Sequence, residues 1–153
     1  MFEPWLRFIH IAASAAWIGG GLMLGVIAVR ARRGDDAALT ISFGRMLQYA
    51  GPRVFIPSMV LLLLAGIGLV LVQAHSLTEL WILIALGGFA LAFLIGAVFM
   101  SRIGIELARV VAVPSPDAVR SAQLVGRWLT GYSVVLAILV IVLWDMVFKP
   151  GGM

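Results

Sequence analysis

Apolar residues run in four blocks along the chain, Trp5–Val29, Val54–Ala74, Leu80–Met100 and Tyr132–Phe148, with the polar residues gathered between them. Each block is near the length of about 20 residues at which a helix crosses a bilayer. Trp128 and Leu129 can extend the fourth, the shortest. A backbone in lipid must satisfy its own hydrogen bonds, so the expected fold class is all-α. The pattern predicts an integral membrane four-helix bundle, one four-span domain over residues 1–153. Two of the connecting segments carry helix signals of their own. In "GDDAALTISFGRMLQYAGPR", Asp35 or Asp36 can cap a helix over Ala37–Tyr49, and Gly51-Pro52 is a strong helix stop. In "VPSPDAVRSAQLVGRWLTGY", Ser115 is placed as the cap, Pro116 at the first helical position and Asp117 in the first turn. That helix can run straight into the fourth block.

Composition agrees with the block pattern. The chain has 153 residues, 63% of them hydrophobic and 12% charged, and its mean hydropathy is +1.12. A soluble domain is nearer half apolar and a quarter charged, and a chain this small cannot bury so much apolar surface in water. The absence of cysteine excludes disulfides, thiolate nucleophiles and Cys-ligated metal centres.

The net charge of +4 comes from ten arginines and one lysine. Nine of these eleven fall in the first and third connecting segments: Arg30, Arg32, Arg33, Arg45, Arg53, Arg102, Arg109, Arg120 and Arg127. The second connection, "HSLTE", has none. The positive-inside bias therefore expects those two segments, with their short helices, in the cytoplasm and both termini outside. Interleaved with spans, the arginines read as topology rather than as a nucleic-acid surface. The first block is expected to be retained, because it is too long for a cleavable signal and its arginine cluster follows it.

Small residues set how the helices can approach. Gly21 and Gly25 form GxxxG in the first block; Gly88, Ala92 and Gly96 repeat that spacing in the third. Gly66 and Gly68 loosen the second, while Met23, Met59 and Met100 read as gap fillers of the bundle.

Ionisable groups inside a span are costly and mark candidate sites. Arg7 and Asp145 lie at similar depth near the outer ends of the first and fourth blocks. Two arrangements fit: a salt bridge between them, or Arg7 reaching to the headgroups while Asp145 pairs with Lys149. His10 lies about 7 Å deeper than Trp5 at 1.5 Å per residue. Helical spacing aligns His10, Ser14, Trp17 and Gly21 on one face, leaving room for a flat ligand. An imidazole there can ligate haem iron or hydrogen-bond a neighbouring helix. It can also relay protons. His75 is on the same side, in a connecting loop.

The opening "WLRFIHIAASAAWIGGGLMLGVIAVRAR" resembles the first helix of several small bacterial membrane families, the copper resistance protein D group and the HemJ-type protoporphyrinogen oxidases among them. "FGRMLQYAGPRVFIPSMVLLLLAGIGLVL", "ELWILIALGGFALAFLIGA" and "MVFKP" resemble, in order, the predicted integral membrane proteins of domain of unknown function 2269. The resemblance covers nearly the whole chain. The HemJ likeness implies haem b, with His10 matching the family's first-helix histidine, Arg45 its pre-helix arginine and Lys149-Pro150 its ending. Where those enzymes carry a lysine after the third-helix tryptophan, this chain has Ala85, and Ile95-Gly96 replaces a deeper polar residue. Haem binding is thus the implied property, and the oxidase reaction is not. The methionine- and histidine-rich outer surface of copper resistance proteins is lacking.

Two function classes follow. One is a b-type haem protein of a bacterial inner membrane with a redox role, in which His10 ligates iron, Ser14, Trp17 and Gly21 line the cofactor, and Arg7 meets its propionates. The other is a non-enzymatic accessory protein in which His10 is interhelical glue, Gly25 and Asp145 serve structure, and Arg45 and Arg53 dock anionic lipid, a second copy or another membrane protein. Solute or metal-ion transport fits less well, since neither a discontinuous helix nor an inverted repeat is evident.

Overall fold

The computed structural model describes residues 2–33 and 37–151. No strand occurs among them. Helix α1 spans Glu3–Arg33, α2 Ala37–Ala50, α3 Ile56–Val72, α4 Leu80–Leu94, α5 Ser101–Val110 and α6 Ala118–Phe148. Short π-helical turns, Gly51–Phe55 and Ile95–Met100, join α2 to α3 and α4 to α5 without a break. The result is four long helical rods, Glu3–Arg33, Ala37–Val72, Leu80–Val110 and Ala118–Phe148, each long and apolar enough to cross a membrane.

Two boundaries differ from the sequence reading. Gly51-Pro52 does not stop the helix. Proline lacks a donor and crowds the carbonyl four residues back, and here the chain widens into a π turn across it. The cap of α6 is Asp117 rather than Ser115: its side chain accepts from the Arg120 backbone N–H at 2.9 Å, and the helix begins at Ala118. A carboxylate bonded to an N3 amide satisfies an orphan donor directly, which moves the start two residues on. From there α6 runs unbroken through the fourth block. The proposed caps Asp35 and Asp36 lie outside the described residues.

Around the bundle, α1 packs against both α3 and α6, and α6 against α4. At the arginine-rich end, α2 and α5 close over α1 and α6 as a solid core. Phe43 and Leu107 are fully buried there, and Phe43 meets Trp128 edge-on at 5.2 Å. Amphipathic α5 turns Ile103, Gly104, Leu107 and Ala108 inward, while its Glu106 pairs with Arg120. Met59 and Met100 fill gaps in the core. Met23 does not: it is 69% exposed and faces outward, as do Leu64 and Leu71. Apolar side chains so exposed need lipid as their solvent.

Gly21 and Gly25 seat an aromatic ring. The Tyr132 ring lies over both, and its hydroxyl donates to the Ile18 carbonyl at 3.2 Å. Gly88 receives Val142 and Ile138 from α6, and Gly96 approaches Met59. These glycines admit side chains from neighbouring helices where close backbone contact was expected.

Candidate functional site: a cavity beside His10

At the terminal end of the bundle, where the chain termini and the 73–79 loop lie, packing is less complete. Helices α3 and α4 meet near their connection, where Val70 packs with Trp81 and Ile82. Deeper in, they splay from one another. The gap is a cavity of about 390 Å³ with walls from α1, α3, α4 and α6. That is within the range of small-molecule sites, and its lining is mostly apolar.

His10 lies on the wall of this cavity. Its Nδ1 is 3.0 Å from the Leu62 carbonyl oxygen; a carbonyl can only accept, so Nδ1 carries the proton and donates. In the neutral ring Nε2 then holds a lone pair, and it makes no hydrogen bond among the described residues. Gly66 permits this approach, since a Cβ there would sit 3.0 Å from His10 Cε1 and 3.3 Å from Nδ1. Ser14 lines the same wall and donates to the His10 carbonyl at 2.7 Å. Trp17, 3% exposed, closes the inner end edge-on to Phe89 at 5.8 Å. The aligned face is therefore present as far as Trp17. Gly21 lies beyond it, covered by Tyr132 and outside the cavity lining.

The outer end of the cavity is polar. Arg7 lines it and pairs with Glu3 at 2.7 Å, and Gln73 donates to the same Glu3 carboxylate at 2.9 Å, tying α1 to the end of α3. Lys149 holds its ammonium over the Trp81 ring, 4.9 Å from the centroid. Neither arrangement expected for Asp145 occurs: Arg7 takes Glu3, and Lys149 takes Trp81. Asp145 is 1% exposed, and neither carboxylate oxygen has a hydrogen-bond partner among the described residues.

Beyond the rim, Glu79 organises the loop. It accepts from the Trp81 indole N–H at 2.8 Å, from the Ser76 backbone N–H at 2.8 Å and from His75 Nδ1 at 3.1 Å. These bonds, the Trp81 indole first, hold its carboxyl below the usual carboxylate range. His75 is thus committed to Glu79 and Trp81, its ring 5.3 Å from the indole, and it does not line the cavity.

Arg45 and Arg53 stand at the opposite end of the molecule, Arg53 with its guanidinium 4.6 Å from the Tyr49 ring centroid. The sequence reading missed Gln73, Lys149 and Met146 as residues of the cavity. Their signal was present only in depth: Gln73 lies at the end of the second block, Met146 near the end of the fourth, and Lys149 follows it directly. No group of three or more metal-ligating side chains forms among the described residues, so the donor here is a single imidazole with a thioether in the same cavity.

Residues 4–150 match the profile of a family of predicted integral membrane proteins, DUF2269. The chain belongs to this family. Comparison with curated proteins and with solved structures gave no match. The match covers all four rods of this DUF2269 protein except Glu3, so every residue that lines the cavity lies inside the family domain.

Proposed function

We propose that this multi-pass membrane protein binds b-type haem in the cavity beside His10 and serves in electron transfer. The observation that carries the reading is the hydrogen bond from His10 Nδ1 to the Leu62 carbonyl. A backbone carbonyl on one ring nitrogen fixes the tautomer and orients the other nitrogen as a ligand, the arrangement typical of metal-binding histidines. The remaining lining fits the group chemically. The walls are apolar, Gly66 leaves the imidazole room, and the lining cations Arg7 and Lys149 would pair with the carboxylates of a porphyrin. Met146 is a soft thioether donor in the same cavity that would be able to bind the iron. Bound haem would supply one-electron redox chemistry; the protein would supply ligation, burial and charge at the rim. The arginine asymmetry favours a bacterial inner membrane with the cavity mouth facing outward.

The same hydrogen bond supports a second reading, in which His10 joins α1 to α3 and the protein is a non-enzymatic accessory subunit. Such bonds contribute on average about 0.6 kcal/mol in membrane proteins. Absorbance spectra separate the two. Protein expressed with haem supply and purified in detergent is expected to show a Soret band that sharpens on dithionite reduction and disappears in His10→Ala. A featureless spectrum in correctly folded protein would leave His10 with its structural bond alone.

A further inference from the structure

A second concavity lies at the arginine-rich end, on the outer surface of the bundle. It is an open groove of about 420 Å³ between α1 and the rod that carries α2 and α3. Gly20, Met23 and Val54 form its apolar length, and Arg45 and Tyr49 stand toward its polar end. Gly20 deepens it, for Phe55 and Val54 reach across to within 3.5 and 4.0 Å of where a Cβ would be. Among the described residues, no acidic side chain lines it. Arg45 is exposed and makes no ion pair among the described residues, and Arg53 lies over the ring of Tyr49, itself a lining residue.

Depth matches this groove to a lipid. Gly20 and Met23 lie about 25–30 Å along α1 from Glu3 at 1.5 Å per residue, close to the thickness of a hydrocarbon core of about 30 Å. Its apolar floor therefore reaches the edge of the hydrocarbon, and its arginines stand at the level of the headgroups. We propose that the groove binds one anionic phospholipid, with the phosphate on Arg45 and an acyl chain along Gly20, Met23 and Val54. A second copy of the chain is the poorer occupant: a two-fold interface brings each patch against itself, so Arg45 and Arg53 would meet their own like charges. The proposal is independent of haem, being at the other end of the molecule from His10.

The test counts bound lipid by native mass spectrometry, with purified protein in detergent mixed with phosphatidylglycerol or phosphatidylcholine. Wild type is expected to retain phosphatidylglycerol preferentially. Arg45→Gln is expected to weaken that retention about fivefold, the scale of one arginine near an anionic surface. Arg102→Gln removes the same charge from α5 and is expected to leave it unchanged. Circular dichroism checks that each variant is folded. Equal loss in both variants would mean diffuse surface charge and overturn the proposal, as would equal retention of the two lipids. Displacement of the lipid by millimolar inorganic phosphate would point to a free-phosphate site instead. A dimer that excludes lipid, and that Arg45→Gln strengthens by removing the like charge, would assign the groove to a second copy and overturn the proposal.

Discussion

Gly66 and His10 form a coupled pair, because a Cβ at position 66 would come within 3.0 Å of the imidazole, tighter than ordinary contact. Gly66→Ala would force the ring or α1 to move, at the cost of about 1–3 kcal/mol typical of overpacking. In a His10→Ala background the same substitution meets a vacated space and is expected to cost much less. A double-mutant cycle on unfolding in detergent reads this coupling directly; additive effects would mean that the ring does not fill that space. Gly68→Ala serves as a comparison, since its Cβ would meet the flexible end of Leu6 at 3.1 Å, which can rotate aside. At this scale the sequence revealed the histidine, because a polar ring in an apolar block stands out. Its partner was hidden: Leu62 contributes a backbone carbonyl, and a carbonyl leaves no mark on residue identity. Gly21 was assigned to the ligand face because helical spacing put it there. The ring that covers it comes from Tyr132, more than a hundred residues away, and no local pattern announces such a contact.

Among the elements, the connection from α3 to α4 depends on one carboxylate. Glu79 gathers the Trp81 indole, the Ser76 amide and His75. Those bonds favour its charged form, so its acid strength is raised on folding. The sign follows: the stabilisation is fully present above the ordinary value of 4.5 and fades as pH falls through the lower folded value. Glu79→Gln is expected to lower the thermal midpoint at neutral pH and to change little at strongly acid pH, where wild type has lost the same charge. Midpoints for both proteins across pH 3 to about 7 check this, and a gap that persists at the acid end would deny the carboxylate its part. Helix existence was legible from block length, whereas helix ends were not. Gly51-Pro52 signals a stop, but a π turn widens the ladder across the proline and joins α2 to α3 without a break. Likewise Ser115, Pro116 and Asp117 each suit a helix start, and the choice of Asp117 rests on a bond to Arg120 that only the folded geometry displays.

For the whole molecule, the two ends differ in packing as well as in charge. The arginine-rich end is closed by α2 and α5 over a core of large side chains, while the terminal end leaves a cavity rimmed by Arg7, Gln73 and Lys149. The sequence displayed the charge asymmetry plainly, and it could not display the cavity, which arises from the splay of α3 from α4 below their loop. Orientation decides which compartment each end addresses. If positive-inside bias governs insertion, the cavity opens to the outside and the arginine groove lies in the inner leaflet. The chain has no cysteine, so single cysteines report topology on a clean background. Thr78→Cys, in the exposed loop between α3 and α4, is expected to react with a membrane-impermeant maleimide on intact spheroplasts. Ser115→Cys, in the exposed connection ahead of α6, is expected to react only after permeabilisation. The reverse pattern would turn the protein over: the His10 cavity would then open to the cytoplasm, and the arginine groove would sit in the outer leaflet. Reaction of both positions on intact spheroplasts would break the four-span topology, because the two loops stand at opposite ends of every rod.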